Sequence, residues 1–139
     1  MRVIAGIAKG RPLVVPRGGG TRAATDRIRE TLFAILEPEL PDARVLDLFA
    51  GAGTLGIEAL SRGGQHATFV ERSAPALAAL RRNLEATGFT QRSDIVPANV
   101  LAYLEHPLAV PYQLIFCDPP FADVAMLEEV LLFIRYDAA

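Results

Sequence analysis

The chain has 139 residues, of which 51% are apolar and 22% charged, and its formal net charge is −2. That size and balance describe one globular domain with enough apolar side chains for a core, and they argue against a disordered tail, a fibre or a membrane-spanning bundle. The single cysteine, Cys117, excludes an internal disulfide, and the isolated His66 and His106 offer no metal-ligand spacing, so no metal is expected.

The small net charge hides an asymmetry. Residues 1–30 carry seven Lys/Arg against two acids, and the remainder carries seven against fourteen, giving +5 and −7. A basic arm on an acidic body suits contact with phosphates, whereas the bland alternative is a solvated charged face. The arm begins with Val3-Ile4-Ala5 and Leu13-Val14-Val15, read as a β-hairpin around Lys9-Gly10. A glycine-rich loop, expected to be mobile, follows from Arg17 to Thr25. Thr25 is placed to cap a helix from Asp26 to about Leu36, with Ile28, Leu32, Phe33, Ile35 and Leu36 on its buried side. The domain thus divides into an arm, 1–24, and an α/β core, 25–139.

Pro38 and Pro41 precede the first parallel strand, 44–49, which runs into Gly51-Ala52-Gly53-Thr54-Leu55-Gly56 and a helix at 54–62. This is G-x-G-x-x-G after a strand, the dinucleotide-binding fingerprint. Gly51 and Gly53 let backbone approach a ligand, and Gly56 lets the helix pack on the sheet. A strand at 67–71 ends in Glu71, an acid about 20 residues beyond the loop, where it can accept hydrogen bonds from ribose hydroxyls. Asp47 lies inside the first strand, where a charge is expensive unless paired. It suits a ligand ammonium or braces the loop amides, two roles that are compatible, and it would repel a pyrophosphate. A helix at 74–87 ends at Gly88. A strand near 94–97, a short helix at 99–105, a strand at 113–117 and a helix from about 124 to 135 complete the reading. Strands alternating with helices imply βαβ units and a parallel sheet. The last strand releases Asp118-Pro119-Pro120-Phe121, an acceptor-rich rigid turn topped by an aromatic, able to hold a planar group that bears an amine.

Residues 47–63, from Asp47 through Gly63, resemble the cofactor motif of the bacterial enzymes that methylate guanine N2 in small-subunit ribosomal RNA. The N-terminus resembles the same family in Met1-Arg2-Val3-Ile4-Ala5-Gly6, Lys9-Gly10-Arg11, Thr21-Arg22 and Thr25 through Phe33. Asp118 to Phe121 matches its catalytic motif, so three blocks agree in order across nearly the whole chain. The resemblance implies a Rossmann-like, S-adenosylmethionine-dependent methyltransferase fold, α/β with a mostly parallel sheet. It implies seven core strands where four parallel ones are counted, so the chain reads as lacking the last three after Ala139. In such a form the strand at 113–117 becomes an apolar edge.

The implied site is as follows. Asp47, Phe49, Gly51, Gly53, Glu71, Arg72, Asn99 and Val100 surround S-adenosylmethionine. Asn99 stands where many relatives have Asp; its amide oxygen can still accept from the adenine amine, or it can simply cap a helix. Asp118, Pro119, Pro120 and Phe121 are catalytic. Asp118 and the Pro119 carbonyl accept the two N–H bonds of guanine N2, and Phe121 stacks on a splayed base. Arg2, Lys9, Arg11, Arg22, Arg27 and Arg29 meet RNA, either free small-subunit ribosomal RNA or an assembling subunit. With no signal peptide or apolar span in view, a cytoplasmic monomer is expected. Two other readings stay open: a non-catalytic RNA-binding or assembly module, and an NAD-dependent oxidoreductase resting on the glycines and Glu71 alone.

Overall fold

A computed structural model of the chain describes residues 1–16, 26–108 and 110–119. The Arg17–Thr25 loop, the Thr25 cap, Arg22, Pro120, Phe121 and the helix expected at 124–135 lie outside the described residues.

Helix α1 spans Asp26–Leu36, and strand β1 Arg44–Leu48. Helix α2 (Thr54–Ser61) follows the glycine loop and leads to β2 (His66–Glu71). Helix α3 spans Ala74–Thr87, with Pro75 in its first turn and Gly88 at φ +77° as its left-handed stop. Then come β3 (Ser93–Pro97), α4 (Val100–Leu104) and β4 (Leu114–Cys117).

All described pairings among these strands are parallel, in the order β3-β2-β1-β4. The chain moves outward from β1 to β3 and then returns to the other side of β1. The order therefore reverses between β1 and β4, and in open α/β sheets a ligand crevice forms at such a reversal, beyond the carboxyl ends of the strands. Register makes those ends level: Leu48 stands opposite Val70 and Cys117, and Glu71 opposite Pro97.

Strand alternation divides the core. Val45 packs in a large cluster with Phe33, Ile57, Leu60, Phe69, Leu80 and Phe116. Leu46 and Leu48 point the other way, toward Val70, Val100 and Leu104. On the first face the Phe33 and Phe116 rings lie 5.7 Å apart, tilted at 56°. Among the described strands β4 pairs only with β1, and Leu114, Ile115 and Cys117 are half-buried.

Two expectations are corrected. Ile28 and Ile35 of α1 are 58% and 71% exposed, and the buried residues of that helix are Arg29 and Phe33. Arg29 takes the inward position because Glu58 of α2 waits there: its guanidinium lies 3.3 Å from Glu58 and 2.9 Å from Asp26, and donates to the Arg2 carbonyl at 2.7 Å. The hairpin is also shorter than expected. Residues 1–3 pair with 10–13 through one antiparallel bridge, Arg2 to Pro12, and bonds such as Val3 N–H to Arg11 O (3.0 Å) and Leu13 N–H to Met1 O (2.7 Å). It stops there because Ile4 and Ala5 give their N–H groups to the Glu58 carboxylate at 2.9 and 3.1 Å.

Candidate cofactor loop and acceptor turn

The loop after β1 turns sharply. Phe49, Gly51 and Gly53 hold φ of +55°, +59° and +85°. Left-handed backbone is natural for glycine and strained for an aromatic residue, so Phe49 is held there by its surroundings. The two glycines do different jobs. A Cβ on Gly53 would strike Leu80 of α3 at 2.3 Å, so that glycine serves packing. A Cβ on Gly51 would meet nothing within 4 Å, which leaves that stretch of backbone open for a ligand to approach. Gly56 lies under Phe69, as the fingerprint expects of its third glycine.

Two carboxylates brace the loop from below and beside. Asp47, 2% exposed, accepts the Gly56 N–H at 3.1 Å, which is the bracing role. Burial pushes its carboxyl up to about 7; the Gly56 N–H opposes this, while the charges of Asp118 and Glu71 add to it. Glu71 accepts the Gly51 N–H through Oε1 at 2.8 Å, and the Arg72 and Ser73 N–H groups through Oε2 at 2.9 and 2.8 Å. Oε1 keeps a further lone-pair direction for a hydroxyl donor, whereas Oε2 already accepts two N–H groups.

Asp118 is exposed at the end of β4 and Pro119 is half-buried beside it. Asp118 follows β4, which pairs with the Asp47 strand β1, so the acceptor turn and the cofactor loop leave neighbouring strand ends. Cys117 is half-buried, and burial, then Asp118 and Asp47, push its thiol up, so it is a packing group rather than a nucleophile. Asn99 caps α4: its Oδ1 accepts the Leu101 and Ala102 N–H groups at 2.9 and 3.3 Å. Val100 is 4% exposed and packs in the core, and Arg72 is exposed beside Glu71.

Of the arm residues, Arg2, Lys9, Arg11 and Arg27 are exposed, although Arg2 already donates to the Gly10 carbonyl at 2.7 Å. Arg29 is corrected: at 0% exposure and paired with Glu58, it holds α1 to α2 and cannot meet a phosphate.

Sequence reasoning missed Glu58, Ser61 and Asn83. Ser61 Oγ accepts the Ala8 N–H at 2.9 Å and donates to the Ala5 carbonyl at 2.6 Å, joining Glu58 in fastening the arm to α2. Asn83 of α3 is 1% exposed and bonds both Val14 and Ala52. The available signal was a polar residue within an apolar stripe: Glu58 between Ile57 and Ala59, and Asn83 between Leu80 and Leu84.

The chain matches a protein family described as conserved hypothetical protein 95 over residues 1–138. It is 42% identical over 131 residues to ribosomal RNA small subunit methyltransferase D of Escherichia coli, covering 94% of this chain and 65% of that protein's length. It is 37% identical over 139 residues to YlbH of Bacillus subtilis, a candidate rRNA methyltransferase, covering 98% of this chain and 75% of that one. The solved structure of yhhF, a candidate methyltransferase from Escherichia coli, superposes with a TM-score of 0.86 at 39% identity, over 99% of this chain and 73% of that one.

Proposed function

The chain belongs to the conserved hypothetical protein 95 family, and from that membership we propose that it methylates the exocyclic N2 amine of a guanine in small-subunit ribosomal RNA, using S-adenosylmethionine. Its fold is the Rossmann-like α/β fold of S-adenosylmethionine-dependent methyltransferases. The observation that carries the reading is the meeting of two features at the reversal in strand order. The open backbone at Gly51 ends β1, and the Asp118 turn ends β4 beside it.

When bound, S-adenosylmethionine supplies an electrophilic methyl group. The residues present suit its parts. Glu71 Oε1 offers an acceptor for a ribose hydroxyl and Gly51 offers bare backbone, while the Asn99 Oδ1 is already engaged in capping α4 just after β3. Asp47 keeps the loop shaped through Gly56.

Guanine N2 is a weak nucleophile because its lone pair is delocalised into the ring. Asp118 and the Pro119 carbonyl accept its two N–H bonds, favour a pyramidal nitrogen and fix the direction of its lone pair. Positioning of this kind supplies most of the rate. Asp118 is also the group placed to take the released proton. Phe121 stacks on the base, and Arg2, Lys9, Arg11, Arg22 and Arg27 hold phosphates.

This reading assigns work to the Asp118 turn, which an oxidoreductase reading leaves idle. Incubation with methyl-labelled S-adenosylmethionine and small-subunit ribosomal RNA should place label in the RNA. RNA that stays unlabelled while it and the cofactor both bind would favour a non-catalytic binding module.

A further inference from the structure

The Asn83 side chain joins two parts of the molecule that the proposed function keeps separate. It pairs with the Val14 backbone on both sides, accepting its N–H at 2.8 Å and donating to its carbonyl at 2.9 Å. Its Nδ2 also donates to the Ala52 carbonyl, between the two loop glycines, at 2.9 Å. Both amide protons and the oxygen are therefore used in a site that is 1% exposed. A buried amide left partly unpaired is costly, so the arm and the loop are held in one mutual geometry.

The helix that carries Asn83 also shapes the loop. Leu80, one turn earlier, fills the space where Gly53 would bear a Cβ. The rest of the arm is fastened to α2, the helix that the loop opens, through Glu58 at Ile4 and Ala5, and through Ser61 at Ile7 and Ala8. The arm is thus joined to the loop at Ala52 through Asn83, and directly to the helix that the loop opens.

We propose that Asn83 is a positioning residue that couples the basic arm to the cofactor loop, so that RNA on the arm and cofactor at the loop strengthen each other's binding. The inference rests on the functional reading above for the two ligands. Its physical basis is shared ordering. Whichever ligand binds first damps the residual motion of the arm and loop, which Asn83 joins as one unit, and the second then has less ordering left to complete. Linkage makes the effect reciprocal.

The test uses the whole 139-residue chain. S-adenosylhomocysteine affinity is measured by calorimetry with and without saturating polyuridylate. In the unmodified chain the RNA should tighten it at least about fivefold, the lower end of ordinary coupling between sites. Asn83→Ala should bring that ratio to about one. Val14→Pro removes the Val14 N–H that Asn83 accepts, at a position where the side chain is 42% exposed, and keeps Asn83 itself with its amide available to the Ala52 carbonyl. It should abolish the ratio as well, while affinity for S-adenosylhomocysteine alone stays within about twofold of the parent. A purely packing role for Asn83 lowers stability and leaves the ratio intact.

A ratio near one in the unmodified chain, or one that survives in Val14→Pro, overturns the proposal. Failure of the functional reading shows separately, as absent binding in the single-ligand titrations. The coupling then still has a ligand-free readout. The loop amides of Ala50, Gly51 and Gly53 are hydrogen-bonded to Val70 O, Glu71 and Ala50 O. Hydrogen exchange at these amides should speed severalfold in Val14→Pro while α4 is unchanged, and unaltered exchange there contradicts the coupling.

Discussion

Glu71 Oε1 and the Gly51 N–H, 20 residues apart in sequence, meet at 2.8 Å and close the turn at the carboxyl end of β1. One carboxylate therefore both shapes the glycine loop and keeps an acceptor direction on Oε1 at the level where a ribose would lie. Glu71→Ala should weaken S-adenosylmethionine binding by roughly 1–3 kcal/mol, the cost of losing charge-assisted hydrogen bonds. Glu71→Gln keeps one acceptor oxygen and should retain part of the affinity. Calorimetry showing full affinity in Glu71→Ala would remove this residue from the site.

Asp118, exposed at the end of β4, is the acceptor proposed for the guanine amine and not for the cofactor. Asp118→Ala should therefore abolish methyl transfer and change cofactor affinity little. Near-normal turnover in that variant, set beside a binding isotherm, would sink the acceptor role.

Asp47 gives a dependence on pH whose sign is fixed. Its carboxyl is raised from 3.8 to about 7 in the folded state, first by burial. Its contribution to stability is therefore fully present below about pH 4 and is lost as pH rises toward 7, by roughly 4 kcal/mol at most. Asp47→Asn keeps an oxygen for the Gly56 N–H but cannot ionise. Relative to the parent, it should gain stability between pH 4 and pH 8 in urea unfolding. A difference between the two that does not vary with pH would mean that Asp47 is not the titrating group.

The basic residues separate into two classes. Arg27 is exposed, while Arg29 is fully buried against Glu58. Replacing Arg22 and Arg27 should make log K for RNA fall less steeply with log salt, by about 0.7 per lost contact on a single strand. Glu58→Ala leaves buried Arg29 with only the exposed Asp26 as a carboxylate partner and strips the Ile4 and Ala5 N–H groups of their acceptor, and it should cost about 3–5 kcal/mol of stability. An unchanged salt slope in the arginine double variant would point to a merely solvated arm.

The strand and helix order was legible because the chain's apolar runs and glycine stops act locally. Gly88 ends α3, and the Gly51–Gly56 spacing marks the β1–α2 turn. The burial of α1 was not legible. Its periodicity favoured Ile28 and Ile35, but the inward position is set by Glu58, a residue 29 positions from Arg29. The hairpin failed for the same reason, since Ile4 and Ala5 pair with that carboxylate instead of a strand. Asn83 shows the wider limit: its partners lie 69 and 31 residues away, and no local pattern encodes such a meeting. Asp47 was readable as a buried acid, and the fold shows its loop-bracing role in the Gly56 bond.

The central claim is transfer to guanine N2, and the atom that receives the methyl tests it most directly. Small-subunit ribosomal RNA labelled by this chain from methyl-labelled S-adenosylmethionine can be digested to nucleosides and separated by chromatography with mass detection. The account expects the label in N2-methylguanosine, and its loss when Asp118 is replaced by Ala. Label in any other nucleoside, or label that persists in the Asp118→Ala variant, would contradict it.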